Sequence, residues 1–265
     1  MTERRPSAPQ PPAPPENASN HARHFDGPVI GVDVQHRRRC AFAVMNRRLQ
    51  LADSGWLDGD TPSKIAADLL RRVRTVEQHF DQRAAVGIDA PRMPIPAARA
   101  HYWDGTQQRW RNRRPAEKGR GRHCEIVIRA LGYANPQWTP IQHQDIPPWM
   151  AIGFALFHVL ADRPHVYEVF PAASYERWRG RSSPQATIHF ADFRDGPRDM
   201  LDACVAAVTV HEFLNGPGCE VGGGDGLGTI ILPRPVPRPD SESQVFNYPD
   251  DAIPQEPDTP SRRNP

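Results

Sequence analysis

The chain has 265 residues, of which 38% are hydrophobic and 24% are charged, and its formal net charge is +2. This length predicts one domain or two small ones, and a net charge so close to zero does not by itself indicate any partner. Residues 1–26 and 236–265 are rich in proline and polar residues and contain no periodic apolar face. We therefore expect two disordered tails around one folded unit, residues 27–235, which is long enough to bury a sizeable core.

The sequence lacks the features that place a chain in or across a membrane. No N-terminal apolar segment resembles a signal peptide. The longest apolar helix candidate, residues 149–161, is too short to cross a bilayer. The four cysteines form no CxxC pair, a pattern typical of reduced thiols in a cytosolic protein. We therefore expect a cytoplasmic protein without a membrane partner.

The folded unit begins with a strand that ends on an acid. Residues 28–33 read PVIGVD, and their β-branched residues favour a buried strand. Gly31 leaves room beside this strand for another backbone or a ligand. Two more strands are expected at residues 40–45 and 49–56, joined by short turns as in an antiparallel meander.

A strand of similar composition follows the first predicted helix. That helix is expected to run from the N-cap residue Thr61 to Phe80, because its apolar residues recur at spacings of three and four. Residues 84–89 then read AAVGID, again with a glycine and a terminal aspartate. A strand that follows a helical crossover lies parallel to an earlier strand. We therefore expect Asp33 and Asp89 at the same edge of the sheet.

The middle of the chain, residues 92–145, is loop-rich and basic. Its weak periodicity predicts a long insertion, and loops of that length usually carry function. The basic residues are concentrated at Arg109, Arg111, Arg113, Arg114, Lys118, Arg120 and Arg122. Such a segment in a nearly neutral protein indicates a local anionic partner; the alternative is a solvated, flexible loop. We predict phosphate contacts from four of these side chains: Arg113, Arg114, Arg120 and Arg122.

The remaining sequence predicts three helices and two strands. The helices are expected within residues 122–132, at 149–161 and from the Asp-Gly-Pro at 195–197 to about Leu214. The strands fall at residues 165–171 and 229–232, and the second strand follows a glycine-rich turn.

Five acidic residues lie at the ends or buried faces of these elements. Asp199 and Asp202 are one helical turn apart on the last helix. Carboxylates in such places cost desolvation unless a cation meets them, and carboxylate oxygens are the ligands that Mg²⁺ and Mn²⁺ prefer. We therefore predict a site for one or two Mg²⁺ or Mn²⁺ ions with five ligands: Asp33, Asp89, Glu168, Asp199 and Asp202. Two alternatives stay open, an ion pair of Glu168 with an arginine and a helix-dipole role for Asp199.

A series of short motifs runs from Gly31 to Pro233: GVDV, GW, IDAP, RHCE, YEVFPAASYERW, DMLDACVAA and GTIILP. In this order the motifs resemble the DUF429 family, an uncharacterised group classed as predicted nucleases of the RNase H-like fold. The resemblance implies an α/β fold with an RNase H-like mixed five-stranded sheet flanked by helices, here with an Arg-rich insertion. Resolvase-type nucleases of that fold carry acids on the first strand, the fourth strand and the last helix. By resemblance these roles fall to Asp33, Asp89, Asp199 and Asp202, whereas Glu168 has no firm counterpart.

Residues and resemblance together predict a metal-dependent nuclease that acts on DNA or RNA, with Asp33, Asp89 and Asp202 as catalytic residues. One alternative is a catalytically silent nucleic-acid-binding or adaptor protein of the same fold. Another is a phosphotransferase in which GGGDGLG serves as a phosphate loop. That stretch lacks the lysine of a P-loop, and the sequence shows no internal repeat of the kind that related ATPases need.

Overall fold

The computed structural model describes residues 25–142, 144–179, 197–236 and 244–249. Most of the two predicted disordered tails and the predicted helix start at residues 195–196 lie outside the described residues. Among the helices within the described ranges, none has both the length and the apolar character needed to span a membrane. Cys40, Cys124 and Cys204 are buried thiols.

One mixed sheet of seven strands forms the centre of the fold. Within the described residues the strands are β1 Val29–Asp33, β2 Ala41–Met45, β3 Leu51–Trp56, β4 Ala85–Asp89, β5 His101–Asp104, β6 Arg109–Asn112, β7 Val166–Val169, β8 Cys219–Gly222 and β9 Thr229–Leu232. The central sheet has the order β3-β2-β1-β4-β7-β9-β8, and β5 and β6 form a separate hairpin. Strands β1, β4, β7 and β9 run parallel, whereas β2 and β8 are antiparallel to their neighbours. The predicted count of five strands is therefore wrong, because β9 and β8 continue the sheet beyond β7.

Helices cover both faces of this sheet. They are α1 Pro62–Phe80, α2 His123–Ala130, α3 Pro148–Val159, α4 Pro171–Trp178 and α5 Pro197–Asn215. Apolar residues of α1 and α3 pack against one face of the sheet, and those of α5 pack against the other. The predicted α/β class with flanking helices is confirmed.

The predicted first helix matches α1 at both ends. The Thr61 hydroxyl accepts a hydrogen bond from the Lys64 N–H at 3.3 Å, which is the expected N-cap contact. Pro62 occupies the first turn, where its missing N–H costs nothing. The helix ends after Phe80, where Asp81 takes the left-handed conformation with φ 51°.

Close contact between α5 and the sheet depends on Gly31. A Cβ at this position would lie 1.9 Å from the Ala203 carbonyl oxygen, so any side chain would push the helix away. At the other end of the helix, the Phe25 N–H donates to Asn215 Oδ1 at 2.7 Å. Helix α5 therefore runs antiparallel to β1, and its first turns lie near the carboxyl end of the strand.

Four segments differ from the sequence-based expectation, and one of them is β8, which was not predicted. The predicted strand at 165–171 ends at Val169, because Pro171 opens α4. The loop-rich region contains the β5–β6 hairpin, in which Trp103 and Trp110 face each other with ring centroids 5.5 Å apart. Within the predicted C-terminal tail, Gln244–Phe246 forms a 3-10 turn.

Candidate functional site

The centre of the candidate site is a pair of aspartates on neighbouring parallel strands. Strands β1 and β4 are in register, and Asp33 is the partner of Asp89. Paired residues on adjacent strands are about 4.8 Å apart, and their side chains project from the same face. The expectation that both acids lie at one edge of the sheet is confirmed.

Helix α5 brings two more acids to this edge. Asp202 accepts a hydrogen bond from the Tyr175 hydroxyl on α4 at 2.8 Å. Asp199 is buried, and one of its oxygens lies 3.1 Å from Arg38 Nη2. Its other oxygen, Oδ2, is buried and accepts no hydrogen bond from the described residues.

The raised pKa values of Asp33 and Asp89 indicate that the charges of these two carboxyl groups are poorly compensated. Burial raises the pKa of Asp33 to about 7, and the charges of Asp202 and Asp199 add to the effect. Gln35 Nε2 opposes it by donating to both Asp33 oxygens, at 3.1 and 3.3 Å. Burial also raises the pKa of Asp89, with further contributions from Asp33, Asp202 and Glu168. Without a cation, these carboxylates repel one another at neutral pH.

The raised pKa of Asp33, which is due mainly to burial, predicts an unusual pH dependence of stability. Because the pKa of Asp33 is raised in the folded state from 3.8 to about 7, the folded state binds more protons than the unfolded state between these values. The contribution of Asp33 to stability should therefore fall as the pH rises from about 4 to about 7, by at most about 4 kcal/mol. In EDTA, the free energy of unfolding of Asp33→Asn should exceed that of the wild type by more at pH 8 than at pH 5. Urea unfolding measures this free energy. As a control, Asp162→Asn, which replaces an exposed acid after α3, should differ from the wild type by the same amount at both pH values.

Two arginines contact the acidic edge, by which we mean the carboxylates of Asp33, Asp89, Asp199 and Asp202. The loop after β1 contains Arg37, Arg38 and Arg39 in succession, and all three are exposed. Arg38 pairs with Asp199, and the side chain of Arg198 at the start of α5 lies 3.8 Å from Asp202. These neighbours were not part of the predicted site, although the run of three arginines close to the end of β1 was a visible signal.

Glu168 makes a different contact, an ion pair with a buried arginine. It is in register with Ile88, so by alternation its side chain is on the opposite face from Asp89. Both of its oxygens accept from the Arg122 guanidinium, the Nη1–Oε2 distance being 2.7 Å, and Oε2 also accepts from the Arg92 N–H at 3.2 Å. The arginine ion pair that the sequence left open for Glu168 is therefore what the structure shows, and this occupation argues against a metal-ligand role.

Arg122 is fully buried, with 0% of its surface exposed. Besides Glu168, its guanidinium donates to Glu125, with Nη2 3.0 Å from Oε1, and to the Thr139 hydroxyl at 3.2 Å. The prediction that Arg122 contacts a phosphate is wrong, because a side chain with no exposed surface and with carboxylate partners cannot reach a nucleic-acid backbone.

The other predicted phosphate contacts are on the surface. Arg113 and Arg114 are exposed, and Arg120 is half-buried, with its Nε 2.7 Å from Gln144 Oε1. Among the described residues, none of the three guanidinium groups forms an ion pair, although the backbone N–H of Arg114 donates to Glu117 Oε2 at 2.7 Å. Arg111 differs, because it forms an ion pair with Glu117.

The glycine-rich turn serves a structural role. Its aspartate, Asp225, accepts from the His123 N–H at the start of α2 at 2.6 Å and from the Leu227 N–H at 3.1 Å. The Gly224 N–H donates to the His123 ring at 3.0 Å. Because these groups are engaged within the protein, the structure does not support a phosphate loop at this turn.

Comparisons of the chain with protein-family models, with curated proteins and with solved structures found no match. A function has therefore to be inferred from the site itself.

The acidic edge fits a hard cation that needs few protein ligands. In the described part of the chain, no group of three or more His, Cys, Asp or Glu side chains is arranged to hold a metal ion. Mg²⁺, however, usually keeps several waters and takes only one or two carboxylates from the protein. The pair Asp33 and Asp89 meets this requirement, and the unpartnered Asp199 oxygen and the raised pKa values indicate a deficit of positive charge.

Proposed function

We propose that the protein is a metal-dependent nuclease of the RNase H-like fold that hydrolyses phosphodiester bonds in nucleic acid. The observation that carries this proposal is the register pair of Asp33 and Asp89, which shares a sheet edge with the acids of α5. The order strand, strand, strand, helix, strand in β1 to β4 supports the fold assignment, because it is the order that the family resemblance implies.

Asp33 and Asp89 would hold the cation, Mg²⁺ or Mn²⁺, with Asp202 facing them from α5. When bound, such a cation activates water and stabilises the departing oxygen of a phosphodiester. Asp202 is held in place by the Tyr175 hydroxyl, and Gln35 orients Asp33. Asp199 is a positioning residue, because its ion pair with Arg38 keeps a guanidinium beside the acids.

The arginines near the acids would bring the substrate to them. Arg37 and Arg38 project from the loop that follows β1, and Arg38 is 60% exposed in its side chain. Exposed guanidinium groups beside a carboxylate cluster attract phosphates and offset the repulsion between the acids and the nucleic-acid backbone. Arg113, Arg114 and Arg120 would extend the contact along the strand.

The proposal is tested by a cleavage panel in Mg²⁺ or Mn²⁺ with single-stranded, duplex, hybrid and junction substrates, each as DNA and as RNA where it applies. We expect cleavage of at least one substrate that EDTA abolishes. Binding without cleavage on every substrate would instead favour the catalytically silent nucleic-acid-binding protein.

Removing the three surface arginines should flatten the salt dependence of nucleic-acid binding. Every arginine–phosphate pair that is removed lowers the slope of log K against log salt by about one for duplex DNA. The variant Arg113→Ala, Arg114→Ala, Arg120→Ala should therefore have a slope smaller by two to three, roughly. The control replaces Arg47, Arg48 and Arg74, which are exposed elsewhere, and should keep the wild-type slope. Equal slopes for all three proteins would identify residues 109–120 as a solvated loop.

A further inference from the structure

A second candidate site lies between the β5–β6 hairpin and α2. It is a cavity of about 490 Å³, a volume within the range of small-molecule sites. Its walls are formed largely by aromatic and basic side chains, including Arg99, Tyr102, Trp103, Arg129 and Trp138. None of the acids of the proposed active site lines it.

Arg99 provides a positive charge that the protein neutralises only in part. Its guanidinium carbon lies 3.9 Å from the Tyr102 ring centroid and 5.2 Å from that of Trp138. Two of its nitrogens, Nε and Nη1, are buried and have no acceptor within the described ranges. Burial lowers the pKa of Arg99, and interactions with Tyr102 and Glu125 oppose this effect only in part. The carboxylate of Glu125 is itself engaged by Arg122 and Thr139. A buried charged donor without an acceptor is costly unless a ligand supplies the missing charge.

Two other donors in the cavity also lack a partner among the described residues. The indole Nε1 of Trp103 is buried and also lacks an acceptor among the described residues. Arg129 on α2 is exposed, and its guanidinium carbon lies 5.3 Å from the Trp138 ring centroid. In the part of the chain that the structure describes, Arg129 has no ion-pair partner. The cavity is thus rich in hydrogen-bond donors and poor in acceptors.

Trp138 contacts both arginines of the cavity. Gly121, with φ 94°, lies so close that a Cβ there would be 2.6 Å from the Trp138 ring. The guanidinium carbons of Arg99 and Arg129 lie at similar distances, 5.2 and 5.3 Å, from the centroid of this one ring. Contact with the ring restricts both side chains, which lowers the entropy that they lose when they bind an anion.

We propose that this cavity binds a nucleotide, that is, a phosphate ester that carries a flat aromatic ring. The phosphate supplies the acceptors that Arg99, Arg129 and Trp103 lack. The volume exceeds what a phosphate alone fills, and the aromatic walls suit a ring that stacks on side chains or on a guanidinium plane. The nucleotide is either free or the 5′-phosphorylated end of a strand, since both present the same groups. This site is distinct from the acidic edge and goes beyond the proposed nuclease activity.

Calorimetry in EDTA with four probes tests the proposal: adenosine monophosphate, adenosine, inorganic phosphate and a 5′-phosphorylated dinucleotide. Because no metal is present, the result does not depend on nuclease activity. We expect adenosine monophosphate or the dinucleotide to bind at least about tenfold more tightly than adenosine or phosphate, since either fragment makes only part of the contacts. Tighter binding of the dinucleotide assigns the site to a strand end, and equal or tighter binding of the monophosphate assigns it to a free nucleotide. Failure of both to bind, or equal binding of a fragment, overturns the proposal.

Variants locate the binding in the cavity. Arg99→Gln and Arg129→Gln should each weaken nucleotide binding by about tenfold or more, because each removes a charged donor. Arg129 is exposed, so its replacement tests the site even if Arg99→Gln unfolds. Arg74→Gln, an exposed arginine on α1, is the matched control and should bind as the wild type does. An Arg129→Gln protein with unchanged affinity, or an equal loss in the control, overturns the assignment.

Discussion

Replacing Arg122 with Met is expected to lower the free energy of unfolding by about 3–5 kcal/mol. The methionine removes the positive charge but leaves Glu168 and Glu125, both buried, without their guanidinium partner. An uncompensated buried carboxylate must either be protonated or draw water into the core. Urea unfolding at pH 7 measures the loss.

Two further variants show whether the loss comes from the ion pairs. Arg129→Met changes an exposed arginine of the same helix and should change stability by about 0.5 kcal/mol or less. In the double variant Arg122→Met, Glu168→Gln, one of the two unpaired carboxylates is removed. Part of the lost free energy of unfolding should therefore return. An Arg122→Met protein as stable as Arg129→Met would mean that the buried cluster contributes nothing to stability.

Much of the fold follows from signals within short stretches of sequence. Apolar spacing and the Thr61 cap locate α1, and the strands β1 to β4 each begin within two residues of the expected start. The pairing of Asp33 with Asp89 was also predictable, because a helical crossover between two similar strands constrains their direction. These features depend on local periodicity and on a general rule of chain connection.

The burial of Arg122 depends on contacts between distant parts of the chain, which no local sequence pattern reveals. It stands at the end of a basic run and has the appearance of a surface residue in the sequence. Its burial is decided by Glu168, which is 46 residues away along the chain. The same reasoning explains why Glu168 was assigned to the metal, since an acid in a strand shows that a partner is needed but not which one.

The β5–β6 hairpin could have been predicted from the sequence. Asp104 and Gly105 form a turn dipeptide, and Trp103 and Trp110 on either side of the turn are residues that favour strands. The cavity beside the hairpin was beyond sequence reasoning, because Arg99 and Arg129 are brought together only by the packing of α2 and Trp138.

The largest functional effect is expected for Asp33→Asn. The amide keeps the shape of the side chain but removes one ligand charge from the pair with Asp89. Metal-dependent cleavage should fall by about a hundredfold or more, since metal-ion catalysis lowers the barrier by several kcal/mol. Asp202→Asn should have a similar effect, whereas Asp162→Asn should cleave at the wild-type rate. Cleavage in the panel substrates under single-turnover conditions measures all four proteins.

The same variant separates a cation-binding role from a merely structural one. A cation bound only by the native state raises the unfolding temperature, so millimolar Mn²⁺ should stabilise the wild type. Asp33→Asn should lose most of that gain while being no less stable than the wild type in EDTA, because it also removes a repelling buried charge. A structural acid would give the opposite pattern, with a destabilised variant and no response to Mn²⁺ in either protein. If, in addition, the wild type cleaves no substrate, the acids at the edge of β1 and β4 are structural and the silent nucleic-acid-binding function replaces the nuclease.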